Sequence, residues 1–122
     1  MDRKWVTIGA ALATAGVALG AFGAHGLKGR VDASLIPTWE TAAHYHQYHA
    51  LALIVIGLLP AAKGKNLAAN LLLAGLLVFA ISLYVYVLSG VRILGAITPL
   101  GGAMMIAGWI VLAVSYGKKA DV

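Results

Sequence analysis

The sequence has no cysteine, only three prolines and little charge: 11% of its 122 residues are Asp, Glu, Lys or Arg. Without cysteine there can be no disulfides, thiolate metal centres or thiol nucleophiles. A soluble domain carries about 25% charged residues, and this chain is instead 61% hydrophobic. Its net charge of +5 comes without a basic patch or interleaved aromatic and basic residues, which argues against nucleic acid. We therefore expect the lipid bilayer to be its partner.

Charged residues divide the chain into four long apolar segments. We predict one integral membrane domain over 1–122, with spans over approximately 5–25, 40–61, 66–89 and 93–116. About 20 helical residues, each rising about 1.5 Å, cross a hydrocarbon core of about 30 Å. The segments lack the alternation of barrel strands. The first is longer than a signal-peptide core of about 7–15 residues, so we expect it to be retained.

Small residues recur along these segments with a period of seven. Helices in lipid associate through close packing, which small residues allow, and a period of seven predicts left-handed crossings of about +20°. The predicted fold class is therefore all-α, a four-helix transmembrane bundle. The small residues expected at helix contacts are Gly16, Gly20, Gly23, Ala50, Gly57, Gly75, Gly101 and Gly108. Pro99 lacks a backbone donor, so we expect a kink there in the fourth helix.

The loops predict an orientation. Six basic residues are expected on one side of the membrane: Arg3, Lys4, Lys63, Lys65, Lys118 and Lys119. Three are expected on the other: Lys28, Arg30 and Arg92. Basic loops stay cytoplasmic, so both termini are predicted in the cytoplasm of a bacterial cell, with the protein in the inner membrane. Trp5, Trp39 and Tyr116 lie near span ends, where we expect them at headgroup depth.

Histidines concentrate in the second span, at positions 44, 46 and 49. At 100° per residue, His46 points toward the small-residue seam, His49 flanks that face and His44 points away. An ionisable side chain at membrane depth is costly and marks a candidate functional site. The candidate polar site comprises His25, His46, His49, Tyr45 and Glu40.

Three interpretations of this polar site stay open. We favour hydrogen bonds between helices or to headgroups. The second is a metal site at His25, His46 and His49, which are weak candidates because His46 and His49 are spaced i, i+3 rather than i, i+4. The third is a proton relay. We predict no cofactor and no catalytic residue, because no nucleophile–base–acid triad or phosphate-binding loop is visible.

Several strings carry a family resemblance. They are Gly-Ala-Phe-Gly-Ala-His-Gly-Leu over 20–27, Trp-Glu-Thr-Ala over 39–42, His-Ala-Leu-Ala-Leu over 49–53, and Thr98-Pro99 followed by Gly101-Gly102 and Gly108-Trp109. Over nearly its whole length the chain resembles domain-of-unknown-function family 423. That family includes the YgdD-like bacterial proteins and the transmembrane-protein-256-like eukaryotic ones.

The resemblance implies a four-span membrane protein and no established activity. The matched family positions are His25, Thr41, Ala42, Tyr45, His49, Thr98 and Pro99. His44 and His46 occupy positions that the family pattern gives to Arg and Gln, which leaves His25 and His49 as the better pair to test. We expect a non-enzymatic accessory component of the membrane or of a larger complex. The alternatives are an oligomeric ion or solute transporter and a histidine-dependent metal or cofactor enzyme.

Overall fold

The computed structural model describes residues 1–117. These residues form four long helices: α1 (Arg3–His25), α2 (Ile36–Leu58), α3 (Lys65–Ser89) and α4 (Ile93–Gly117). A 3-10 turn over Ala33–Leu35 precedes α2, and no strand occurs in the described part. The predicted all-α, four-helix fold class is confirmed. Lys118 and Lys119, which enter the orientation prediction, lie outside the described residues.

Two prolines set the limits of α2. Pro37 lies in its first turn, where the missing backbone donor is harmless, so α2 begins four residues before the predicted span. At the other end Leu59 is extended, with ψ 152°, because a residue preceding proline disfavours the helical region. At the start of the 3-10 turn, the Ser34 amide donates to Asp32 and lowers the pKa of that carboxyl.

The helices pack mainly as neighbours in sequence, α1 on α2, α2 on α3 and α3 on α4. The two central helices, α2 and α3, therefore contribute most of the core, including the fully buried Leu53, Ile56 and Leu72. Many large apolar side chains are exposed on the outside, among them Leu51, Val55 and Ile110. An apolar outer surface of this kind suits contact with lipid.

By length and composition, α1, α3 and α4 can each cross a membrane. The α2 helix is not among these three, since its sequence includes Glu40, Gln47 and three histidines. It nevertheless packs lengthwise between α1 and α3. Three of the four predicted spans thus have the expected character, and the crossing by α2 stays a prediction.

Glycines make the closest helix contacts. A Cβ on Gly75 would lie 2.7 Å from the Gly101 carbonyl oxygen, and one on Gly101 would lie 2.5 Å from the Phe79 nitrogen. Between α1 and α2, a Cβ on Gly57 would lie 2.9 Å from the Val6 nitrogen. No side chain fits between backbones this close, so these glycines set the interhelical distances.

Two sequence expectations are wrong at the residue level, and a third stays a prediction. Gly20 is not a packing residue, because a Cβ there would meet nothing within 4 Å: α2 lies over the neighbouring Gly16 and Gly23 instead. Trp5 and Trp39 do not face headgroups, since each is 1% exposed and buries its indole N–H against a protein acceptor. Pro99 lies within the continuous α4, and the kink stays a prediction.

Candidate functional site

The polar site begins with a pair of hydrogen bonds between α2 and the backbone of α1. Trp39 Nε1 donates to the Leu19 carbonyl at 2.8 Å, and His46 Nε2 lies 2.8 Å from the Leu12 carbonyl. Both donors and both acceptors are seven residues apart, so the two bonds repeat one antiparallel register. In this register the N-terminal part of α2 lies against the C-terminal half of α1.

Glycine makes these carbonyls accessible. A helical side chain covers the turn on its N-terminal side, so the residue four positions after a carbonyl shields it. Those positions are Gly16 after Leu12 and Gly23 after Leu19. A Cβ on Gly23 would collide with the Trp39 indole. The glycine spacing of α1 therefore accommodates the polar side chains of α2.

His46 also bonds to α3. Its Nδ1 lies 2.9 Å from the Tyr84 hydroxyl, and the residue is 5% exposed. A carbonyl oxygen can only accept, so Nε2 carries the hydrogen toward Leu12, and in this tautomer Nδ1 accepts from Tyr84. One imidazole thus ties together three helices, α1, α2 and α3.

His49 makes the equivalent link toward α4, with the opposite tautomer. Its Nδ1 lies 2.8 Å from the Tyr45 carbonyl, and its Nε2 accepts the Trp109 indole N–H at 3.0 Å. The hydrogen is therefore on Nδ1. Tyr45 stacks on His49 at 6.1 Å between ring centroids and meets Phe79 at 4.9 Å. A pocket of about 240 Å³ lies among these rings.

The predicted site residues do not converge. His25 is exposed at the end of α1, whereas His49 lies ten residues beyond Trp39, about 15 Å along α2. His25, His46 and His49 do not meet, as the alternative of a metal site would require, because α1 ends beside the beginning of α2. Within residues 1–117, no group of three or more His, Cys, Asp or Glu residues is arranged to hold a metal.

Glu40 belongs to a different feature, a cleft between α1 and α2. We call it the α1–α2 cleft; it has about 340 Å³ and is lined by Gly16, Val17, Gly20, Ala21, Ala24, Trp39, Glu40, Ala43, His44 and Gln47. Its polar side comes from Glu40, His44 and Gln47, which share one face of α2. The Oε1 atom of Gln47 is buried without a hydrogen-bond partner. The floor of the cleft is open at Gly20.

Comparison with known proteins identifies the family to which the chain belongs. A family model described as a protein of unknown function, DUF423, matches residues 19–102, a range that includes His46, His49 and the α2 side of the cleft. The chain belongs to the DUF423 family. It is 42% identical to a UPF0382 membrane protein of Staphylococcus aureus over 97% of this chain and 98% of the relative. It is 45% identical to one of Staphylococcus epidermidis over 97% and 98%.

A further relative is the UPF0382 membrane protein YwdK of Bacillus subtilis. It is 41% identical over 95% of this DUF423 chain and 98% of its own length. These names, together with the three apolar helices, identify the chain as a membrane protein of an uncharacterised family. No solved structure matches it.

Two features of this DUF423 chain escape sequence reasoning. The hydrogen bond from Trp109 to His49 is not among the sequence predictions, although the tendency of an indole N–H away from water to find an acceptor was an available signal. The cleft had no such signal, because it requires knowing which face of α1 stays uncovered. His44 and Gln47 enter the candidate site only once that face is seen.

Proposed function

We propose that this protein is a non-enzymatic accessory component of a bacterial inner-membrane complex, and that its α1–α2 cleft receives a transmembrane helix of another membrane protein. The observation that carries the proposal is that the two histidines are fully hydrogen-bonded within the chain, whereas polar side chains of the cleft are not. His46 and His49 have both ring nitrogens engaged within the chain. In the cleft, by contrast, Glu40 and His44 are exposed, and Gln47 Oε1 is buried against Gly16 without a hydrogen-bond partner.

The chemistry of the histidines supports a structural role. A ligand or proton-transfer group needs a free ring nitrogen facing the reacting atom. Each of these imidazoles instead points one nitrogen at a backbone carbonyl and the other at an aromatic side chain. Interhelical bonds of this type stabilise membrane bundles by about 0.6–2 kcal/mol each.

The cleft has the composition of a helix-binding surface. Its α1 side is made of small residues, including Gly20, Ala21 and Ala24, which let another backbone approach closely. Its α2 side presents an acid, an imidazole and an amide, which would be costly against acyl chains. A helix that carries hydrogen-bonding side chains satisfies both sides.

A second copy of the chain fits this surface less well than another protein does. A concave cleft is filled by a ridge, and two such clefts facing each other leave a void, which forfeits packing contacts. A two-fold axis along the membrane normal would also place the Glu40 side chains of the two copies at the same depth, where their like charges repel. We therefore assign the occupant to a different membrane protein.

The orientation is part of the same proposal. The six-to-three distribution of basic residues supports a cytoplasmic location for both termini. Among the described residues, Arg3, Lys4, Lys63 and Lys65 lie at the end of the molecule where α1 and α3 begin. The cleft then lies toward the opposite leaflet, since Gly20 is near the end of α1 and Glu40 is near the beginning of α2, which lies beside it.

Gly20→Leu tests the proposal. A Cβ at this position meets nothing within 4 Å, so a leucine has room in the cleft, and the purified variant should keep the helicity and melting temperature of the wild type. In cells, a photo-crosslinking residue at Ala21 should join wild type to one heterologous membrane protein that also co-migrates with it in mild detergent. The variant should lose this complex.

Gly95→Leu is the matched control, because Gly95 is also open to its surroundings but lies on α4, and this variant should retain the complex. An unchanged complex in Gly20→Leu would exclude the cleft as the contact. Crosslinks only between copies of this chain would replace the accessory role with self-association.

A further inference from the structure

A second polar pocket lies at the opposite end of α1 from the cleft, where α1 and α3 begin and α2 ends. It has a volume of about 320 Å³. Its lining residues are Met1, Asp2, Arg3, Leu59, Ala61, Ala62, Lys65 and Asn66. We call it the basic pocket. It takes no part in the proposed function.

Lys65 is the unusual member. The residue is only 7% exposed, and its Nζ donates to the Leu59 carbonyl at 2.8 Å. This bond caps the C-terminal end of α2, a favourable position for a cation. An ammonium has three donors, and a carbonyl carries only part of a compensating charge. A buried cation normally meets a full negative charge.

The surroundings of Lys65 favour an anion. Arg3 is exposed at the edge of the same pocket. Asn66 Oδ1 accepts from Trp5 Nε1 at 3.0 Å, which leaves its amide nitrogen to donate elsewhere. The first turns of α1 and α3 also direct backbone N–H groups to this end. Asp2 is the one acidic side chain among these lining residues, so positive charge prevails.

We propose that the basic pocket binds a phosphate group, that of an anionic phospholipid or of a soluble phosphate ester. Lys65 and Arg3 would pair with the phosphate oxygens, a guanidinium being suited to two of them at once. The pocket lies at the end of the bundle where α1 and α3 begin, the end at which a membrane-spanning bundle meets lipid headgroups. Basic pockets between membrane helices bind anionic headgroups in this way.

The test counts phospholipids that stay bound to the full-length protein. Protein is exchanged into detergent with phosphatidylglycerol or phosphatidylcholine and measured by native mass spectrometry after a wash in about 0.5 M salt, which screens exposed charges. Wild type should retain one phosphatidylglycerol per chain in preference to phosphatidylcholine. Lys65→Gln should lower this retention about tenfold and Arg3→Gln about fivefold.

Lys63→Gln is the matched control, because it removes the same charge two residues before Lys65 but does not line the pocket. It should change retention less than about twofold, because a charge outside the pocket is separated from the phosphate and screened by the salt. Arg3→Gln keeps the test decisive if Lys65→Gln fails to fold, because Arg3 is exposed.

Adding glycerol 3-phosphate to the wash identifies the source of the phosphate. Displacement of the lipid at equal concentration would assign the pocket to soluble phosphate esters, and persistence of the lipid would assign it to headgroups. Equal retention of the two lipids without displacement, or equal losses in all three variants, would overturn the proposal.

Discussion

At the scale of single residues, the face of α2 on which a polar side chain lies decides its role. His46 and His49 differ by three positions, yet one bonds to α1 and α3 and the other to α4. The inward direction of His46 could be predicted from the helical wheel. The bonding partners could not, because they depend on the register of α1 and on the placement of α4.

The two histidines should be in opposite tautomers. In ¹⁵N NMR spectra of selectively labelled protein, His46 should show its hydrogen on Nε2 and His49 on Nδ1, because a carbonyl faces each of those nitrogens. Trp109→Phe removes the donor to His49 and should broaden or shift only the His49 signals. Identical tautomers at the two positions would contradict the hydrogen-bond assignment.

Gly23 and Gly20 make a matched pair on one helix. A Cβ on Gly23 would overlap Trp39, whereas one on Gly20 would meet nothing. Gly23→Val should displace the indole from the Leu19 carbonyl and lower the free energy of unfolding by about 2–5 kcal/mol through overpacking and a lost hydrogen bond.

Gly20→Val should change the same free energy by less than about 1 kcal/mol, because it adds only a difference in helix propensity. Thermal unfolding in one detergent, followed by circular dichroism, compares the two variants. Equal destabilisation would contradict the assigned register of α1 on α2.

At the scale of the elements, the seven-residue repeat predicted which helix faces meet, but not every member of them. Gly75, Gly101 and Gly108 lie at the α3–α4 contact as expected. Gly20 fits the spacing of α1 equally well and still faces outward. Periodicity predicts the direction in which a residue points from the helix axis. How much of the small-residue face is covered depends on where the neighbouring helix lies.

The α3–α4 seam is tested by two adjacent glycines. Gly101→Ala places a Cβ 2.5 Å from the Phe79 nitrogen, a backbone atom that can move only if the helices separate. It should lower the free energy of unfolding by about 1–3 kcal/mol. Gly102→Ala places its Cβ 3.9 Å from the Phe79 ring, an ordinary contact.

Gly102→Ala should therefore be neutral or stabilising by up to about 1 kcal/mol, because alanine favours the helix. Unfolding by a denaturing detergent gives the comparison for both variants. If Gly101→Ala unfolds like wild type, the close backbone approach at this seam is wrong.

At the scale of the whole molecule, the membrane topology depends on α2. Hydropathy predicts that α1, α3 and α4 cross the membrane. The hydropathy of α2 is lower because it contains the polar residues that form hydrogen bonds to the neighbouring helices. Composition alone cannot distinguish polar groups that face lipid from groups that are satisfied by protein. The packing can, because His46 and His49 are each 5% exposed.

Cysteine labelling decides whether α2 crosses the membrane, and the chain has no native cysteine to remove. Ala33→Cys lies before α2 and Lys63→Cys follows it, and both positions are exposed. If α2 crosses, a membrane-impermeant maleimide applied to spheroplasts should label Ala33→Cys at once and Lys63→Cys only after lysis.

The opposite pattern would keep the crossing and reverse the predicted orientation. Labelling of both positions from one side would mean that α2 does not cross. Its two hydrogen-bonded histidines would then lie outside the hydrocarbon, and the high cost of unpaired polar groups in lipid, on which the proposal for the cleft depends, would not apply.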